Sequence, residues 1–358
     1  MIAPGPATGA SATPRPTIVD VARAAGVSIA VVSYALNGKP GVSMATRDRV
    51  LRVADDLGWR PSAAARSIRS GPQAVGMAVS GESGTIARAP SFLDFMTAAT
   101  EVVATGGLTL ALQVVASAAA AAEIYRIWWS ERRFDVMIVP DLLTEDPRVE
   151  VLRRMHAPAV VLGPLGLAEG LACVCFDEAE AGDRLANYLV ELGHRRVAAV
   201  TAPIEMHRTR VRLDALKRTL EARGGELIHR ATNATGEESA AATRHLLTDV
   251  TPPSAIVYDT DQMAVAGLDV ARRSGFGVPW DVSIVASTDS ELCRLATPAI
   301  TALPTPMAEL GAATGHAVLA VLDGQVDVST VVPVDGLAVR GSTGPPARRP
   351  AGPSDLNA

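Results

Sequence analysis

The sequence predicts a small all-α headpiece followed by a large α/β domain of two doubly wound parallel-sheet subdomains. Three observations lead there. Residues 17–57 hold three capped helical stretches, short apolar runs alternate with helical ones from Ala74 onward, and charge is shared unevenly between the two parts. A chain of 358 residues also exceeds one ordinary core, so more than one domain is expected.

The first helix begins in TIVDVARAAG, where Thr17 is the N-cap and Asp20, three residues on, completes a capping-box variant. Ile18, Val21, Ala22 and Ala25 follow at helical spacing, and Gly26 stops the helix. Gly26-Val27-Ser28 forms a tight turn, and Ser28 caps a second helix, IAVVSYALN. On that helix Val32 and Leu36 fall together and pack on the first, while Ile29, Ala30, Ser33 and Tyr34 fan across the opposite side. Ser43 caps a third helix, roughly Met44 to Leu57, which Gly58 ends. Two short helices about a Gly-containing turn, with an outward face on the second, make a helix-turn-helix.

The net charge of −5 conceals an asymmetry. Residues 15–71 hold nine Lys or Arg against four Asp, a balance of +5, and the remainder carries −10. A basic module on an acidic body is what phosphate binding by one end of a molecule needs, although clustering on a solvated surface looks the same.

In the larger domain AVGMAV, LTLALQVV, FDVMIVP and PAVVLG read as strands, with helices over 91–106, 116–132 and 146–156. A second series follows: RRVAAVTA, a helix over 209–223, SAIVYDT, a helix over 261–274, and VSIVAST. Two doubly wound halves joined by crossing segments are expected, with a ligand cleft between them at the strand carboxyl ends.

Several classes are argued against. No run of eighteen apolar residues occurs, so no membrane span is expected. The first sixteen residues, MIAPGPATGASATPRP, lack a basic start and an apolar core and read as a disordered leader. Of three cysteines, Cys173 and Cys175 sit on one predicted strand, expected on opposite faces, and Cys293 is alone. No disulfide framework, metal site or cofactor is expected, and a reducing cytoplasm is the natural compartment. Neither a phosphate loop, a nucleophile elbow, metal-ligand spacing nor a catalytic acid pair is found, so no catalytic residue is assigned. His194, in LGHRRV, reads as a helix-to-strand turn residue.

TIVDVARAAGVS, VVSYALNG and VSMATRDRVLRVADDLGWRPSAAARSIRSG resemble the lac-repressor-type (LacI/GalR) family of bacterial regulators, and the likeness continues through nearly the whole chain. ACVCFDEAEAG, LGHRRVAAV, DTDQMAVAGLDVARRSG and VPWDVSIVASTDSE are similar to landmarks of its sensing domain, which is periplasmic-binding-protein-like (type I). The resemblance implies a transcriptional regulator, by default a repressor, that binds double-stranded DNA as a homodimer on a pseudo-palindromic site under control of a small-molecule effector, a sugar or other metabolite. It implies that Ile29, Ala30 and Tyr34 read base edges in the major groove, while Ser28, Ser33, Asn37 and Thr46 position the backbone. RPSAAARSI matches the family's hinge helix, with Ile68 as a minor-groove wedge and Ala65 its small neighbour. The domains expected are a leader (1–16), the headpiece (17–60), hinge and linker (61–73), an effector-binding and dimerisation domain (74–341), and a disordered tail (342–358) without the leucine heptads of tetrameric relatives.

For the effector, Arg212 matches a position that holds hydroxyl or carboxylate groups, and Phe176 and Asp177 match the strand lining the cleft. Asp177 accepts from a sugar or caps the following helix. His207, Arg208 and Arg210 either make the cleft basic or are plain surface.

The chain departs from the family in both parts. Tyr34 stands where Arg is common and offers one hydroxyl instead of a bidentate fork. Thr260 and Thr288 stand where sugar-binding relatives carry Asn or Asp and Asp, with Asp261 and Asp289 beside them. An ordinary hexose effector is therefore disfavoured. The alternative of a solute-binding protein lacks both an export signal and a reason for the headpiece.

Overall fold

The computed structural model describes residues 17–36, 39–57, 74–81, 89, 91–168, 170–325 and 327–347. Contacts divide the chain into two units, Met1–Pro72 and Gln73–Ala358. The first contains α1 (Ile18–Ala25), α2 (Ile29–Leu36) and α3 (Met44–Asp56). Its capping box forms as the spacing predicts: Asp20 Oδ2 accepts the Thr17 N–H at 2.9 Å and the Thr17 hydroxyl at 2.7 Å. Gly26 adopts φ +65°, the left-handed turn that lets the Val27 N–H reach back to the Ala22 carbonyl at 3.0 Å. Val21, Ala22, Ala25, Val32, Ala35, Val50 and Ala54 are buried together and join the three helices.

The second unit has two parallel sheets. Its elements are β1 (Ala74–Ser80), α4 (Phe92–Thr105), β2 (Thr109–Val115), α5 (Ala118–Ser130), β3 (Val136–Val139), α6 (Pro147–Arg154), β4 (Ala159–Leu162), β5 (Ala172–Phe176), α7 (Glu178–Leu192), β6 (Arg196–Thr201), α8 (His207–Ala222), β7 (Glu226–Ala231), α9 (Gly236–Leu247), β8 (Ala255–Tyr258), α10 (Asp261–Arg273), β9 (Ser283–Ala286), α11 (Glu291–Leu295), β10 (Thr301–Ala302), α12 (Met307–Leu322) and β11 (Ser329–Val332). The sheets run in the orders β11-β5-β4-β3-β1-β2 and β10-β9-β8-β6-β7.

Strand alternation distributes the core to both faces of each sheet. In the first, Val136, Ile138 and Val160 pack toward α4 and α12, while Met137, Val139 and Val161 pack toward α5 and α6. In the second, Ala198, Ile256 and Ile284 meet α9 and α10, while Val197, Ala199 and Val257 meet α7 and α8. Gly182 lets α7 and α8 touch: a Cβ there would stand 2.3 Å from the Arg212 carbonyl oxygen.

The chain passes between the sheets three times, at 176–178, 303–307 and 332–338. The last pass lays Ala338 antiparallel against Ala302. Helical and strand periodicity did not announce β7, α9, α12 or β11. β7 and β11 are edge strands whose side chains stay largely exposed, so neither carries a clean apolar run.

Two expectations are corrected. Cys173 and Cys175, two residues apart on β5, share a face by the pleat of a strand and do not lie opposite; both are free thiols. The expected tail does not start at 342. Ser342 is fully buried, its hydroxyl accepting the Thr301 N–H at 2.8 Å and donating to the Ile284 carbonyl at 2.6 Å. His194, also fully buried, bonds Ser254 Oγ at 2.8 Å and the Gly344 carbonyl at 3.0 Å. The segment from Ser342 to Gly344 therefore completes the second sheet. Among the described residues no single helix is long and apolar enough to cross a membrane.

Candidate functional site

On α2 the buried residues are Val32 and Ala35, spaced to face α1 and α3. This leaves Ser28, Ile29, Ala30 and Tyr34 exposed, with Ser33 half-buried. Ile29 and Tyr34 are 48% and 45% exposed, an unusual outlay of apolar surface on an eight-residue helix unless something covers it. Ser28 Oγ accepts the Val31 N–H at 3.3 Å and so caps the helix. Lys39 brings its ammonium within 5.7 Å of the Tyr34 ring, placing a cation beside this face that helical periodicity alone did not assign. Thr46 shares a hydroxyl contact of 2.9 Å with Ser43, the cap of α3. Asn37, Ala65 and Ile68 lie outside the described residues.

In the second unit a cavity of about 690 Å³ opens between the sheets, at the carboxyl ends of the strands. Phe176, Asp177, Arg212, Thr260 and Thr288 all line it, so the structure gathers all five proposed effector residues. Much of the remaining wall is apolar, from Phe95, Leu142, Leu162, Val174, Val211 and Met307. His207 and Arg208 also line it and are not plain surface.

Most polar groups in the wall already have protein partners. Asp177 Oδ1 accepts the Glu180 N–H at 2.9 Å, which makes it the cap of α7. Thr260 Oγ1 accepts the Met263 N–H at 3.3 Å and caps α10, and Thr288 Oγ1 accepts the Asp261 N–H at 3.1 Å. Asp289 is held bidentately by Arg340 at 2.8 and 2.7 Å. Asp261 accepts from the Ser290 hydroxyl and, at 2.8 Å, from the Gln262 N–H.

Arg212 is 4% exposed and divides its guanidinium between Glu178 and Asp259, the latter at 2.9 Å. Burial pushes the Asp259 carboxyl up, but Arg212, Arg208 and the Thr209 hydroxyl together outweigh it and hold the group below the usual carboxylate range. At Glu178 burial prevails over Arg212, and its carboxyl is pushed up. Burial, with Arg210 nearby, holds His207 below its ordinary value, so its imidazole is neutral near pH 7. Among the described residues, His207 Nδ1 and Arg212 Nε are buried atoms of the cavity wall with no hydrogen-bond partner in the protein. Asp141, Glu178 and Asp259 were not singled out in the sequence. Their signal is position, immediately after or soon after a strand that ends at the cleft.

A helix-turn-helix unit with an exposed apolar face, followed by a two-sheet domain with a cleft, is the architecture of a DNA-binding regulator. The pattern described as "Bacterial regulatory proteins, lacI family" matches residues 17–62, and "Periplasmic binding protein-like domain" matches residues 186–343. The chain is 30% identical over 305 residues to the HTH-type transcriptional regulator CelR of Thermobifida fusca, covering 83% of this chain and 89% of that one. It is 27% identical over 301 residues to the ribose operon repressor of Escherichia coli K12, covering 82% and 89%. The solved complex of CelR with cellobiose superposes with a TM-score of 0.69 at 28% identity over 92% of this chain and all of that one. The protein belongs to the lacI family of bacterial regulatory proteins and is a DNA-binding transcriptional regulator.

Proposed function

We propose that the protein is an effector-controlled repressor that binds a pseudo-palindromic operator as a homodimer in the cytoplasm. The observation that carries this reading is the cleft, lined by both subdomains and large enough for a small metabolite. Ile29, Ala30 and Tyr34 are the base-reading residues in this proposal, with Ser28, Ser33, Asn37 and Thr46 on phosphates. Ala65 and Ile68 serve the hinge. The exposure of Ile29, Ala30 and Tyr34 supports their role, since side chains kept out of the headpiece core are free to enter a groove.

The effector contacts are Phe176, Asp177, Arg212, Thr260 and Thr288. The relatives' names mention ribose and a cellobiose complex, but this cleft favours a different chemistry. Thr260 and Thr288 each commit a hydroxyl to a backbone N–H, and Asp261 and Asp289 are engaged within the protein. Paired acceptors for adjacent sugar hydroxyls are therefore scarce, and the walls suit a more apolar molecule with few polar groups. Genome-wide mapping of bound DNA, followed by titration of a recovered site with products of the neighbouring genes, tests this. Failure of every such compound to alter DNA affinity would contradict an effector-controlled repressor, and release by a hexose would contradict the apolar preference.

A further inference from the structure

One connection of the first subdomain ends in the core of the second. The loop between β3 and α6 places Leu143 antiparallel to Met206, just before α8. The Thr144 N–H donates to the Glu205 carbonyl at 3.0 Å, and the His207 N–H donates to the Leu142 carbonyl at 2.8 Å. The Leu143 side chain packs against the hydrophobic core of the second sheet, although its strand belongs to the first. Asp141 and Arg208 pair beside it at 3.5 Å.

The loop is stiffened from within. Arg148, 2% exposed, donates to Asp146 from Nε at 2.9 Å and from Nη2 at 2.6 Å, and to the Asp141 carbonyl at 2.8 Å. Asp146 accepts the Leu143 N–H at 3.0 Å. This network holds Asp141 at φ +48°, a backbone conformation that residues with a Cβ rarely take.

On the first sheet the contact is set apart from the three chain crossings, which enter and leave at β5 and β11 with β4 between them and β3. On the second, the crossings at 303–307 and 332–338 meet at β10, which β8 and β9 separate from β6, while the crossing at 176–178 enters through α7 beside α8. The cleft therefore has a covalent hinge at one place and a non-covalent clasp at another. Asp141 and Leu142 on one side of the clasp, and His207 and Arg208 on the other, also line the cavity.

We propose that residues 141–146 are a latch that holds the two subdomains closed over the cleft by docking Leu143, and that opening the cleft requires its release. Any coupling of the latch to DNA affinity rests on the effector cleft proposed above; the latch itself does not.

A paired cysteine substitution tests it in the full-length protein. Hydrogen bonds flank the 143–206 pair and do not join it, so it is a non-hydrogen-bonded antiparallel pair with Cα atoms about 4.5 Å apart. That separation is within disulfide reach. Leu143→Cys with Met206→Cys should crosslink within one chain under mild oxidation, and neither single variant should. Leu143→Asp should increase the radius of gyration measured by X-ray scattering while helix content by circular dichroism is kept. A DNA fragment selected by the protein from a random pool should bind the oxidised and reduced double variant at least tenfold differently.

Cysteines that stay reduced, or a Leu143→Asp scattering curve that matches wild type, would overturn the latch. A crosslink that forms and leaves DNA affinity unchanged would uphold the latch and overturn its coupling to the effector cleft.

Discussion

Arg212 Nη2 and Asp259 Oδ1 meet at 2.9 Å where α8 passes the carboxyl end of β8, and Asp259 Oδ2 accepts both the Ala202 N–H and the Thr209 hydroxyl at 2.9 Å. One guanidinium thus serves two buried carboxylates, with Glu178 as the second. Arg212→Met would remove the cation that hydrogen-bonds both and leave only the more distant charge of Arg208, and breaking a buried pair in this way costs about 3–5 kcal/mol. Urea unfolding at pH 7 should show a loss of that order, easing toward acid pH as the stranded carboxylates protonate. A loss under about 1 kcal/mol would mean that the arginine carries little of the wall's stability.

Tyr34 is the polar end of the exposed α2 face, and it is accompanied by Lys39. Tyr34→Ala should change the preference among operator variants by about 1–3 kcal/mol per affected base pair. Side-by-side binding isotherms on single-base variants measure it. A uniform loss over all variants would place the hydroxyl on a phosphate.

Burial holds the His194 imidazole below its ordinary value in the folded protein, despite its hydrogen bond to the Gly344 carbonyl. A carbonyl only accepts, so Nε2 carries the proton and Nδ1 faces Ser254. The unfolded chain binds a proton near the ordinary histidine value, about 6.5, while the folded chain still resists it. Stability is therefore full above about pH 6.5 and falls as pH drops below it. His207 and His229 are shifted in the same direction, chiefly by burial. The melting temperature should decrease from pH 7.5 to 5.5, and His194→Gln should flatten part of that slope. A profile that rises on acidification would contradict the assignment.

Gly182 on α7 lies against the backbone of α8, where a Cβ would also stand 2.8 Å from that of Ala215. Gly182→Ala would force two helices apart in a packed layer, which costs about 1–3 kcal/mol. Since alanine favours a helix over glycine by roughly 1 kcal/mol, a net stabilisation in denaturant melts would show that the helices separate freely.

The headpiece was legible residue by residue, because capping and helical spacing act over three or four positions. Thr17 with Asp20, Gly26 and Ser43 all do what their neighbours predict. The cleft was legible as a set of positions, since strand ends converge there, but its wiring was not. Glu178 and Asp259 lie 34 and 47 residues from Arg212 in sequence, and nothing local marks them as its partners. The same holds for Ser342, whose Gly- and Pro-rich surroundings read as a loose end while its hydroxyl closes on Ile284, 58 residues earlier. Local propensity sees composition; tertiary hydrogen bonds decided this segment.

The order of synthesis gives that last contact a further meaning. β11 joins the first sheet only at residues 329–332, beside β5, and Ser342 reaches the second sheet a few residues later. Each half of the cleft domain thus lacks a piece until residues 329–344 have left the ribosome. A nascent chain stopped before residue 329 would hold two sheets with an open edge or an unfilled site, the state in which strands pair wrongly. Neither half is a self-sufficient N-terminal or C-terminal folding unit. Both are finished by the same closing stretch of chain.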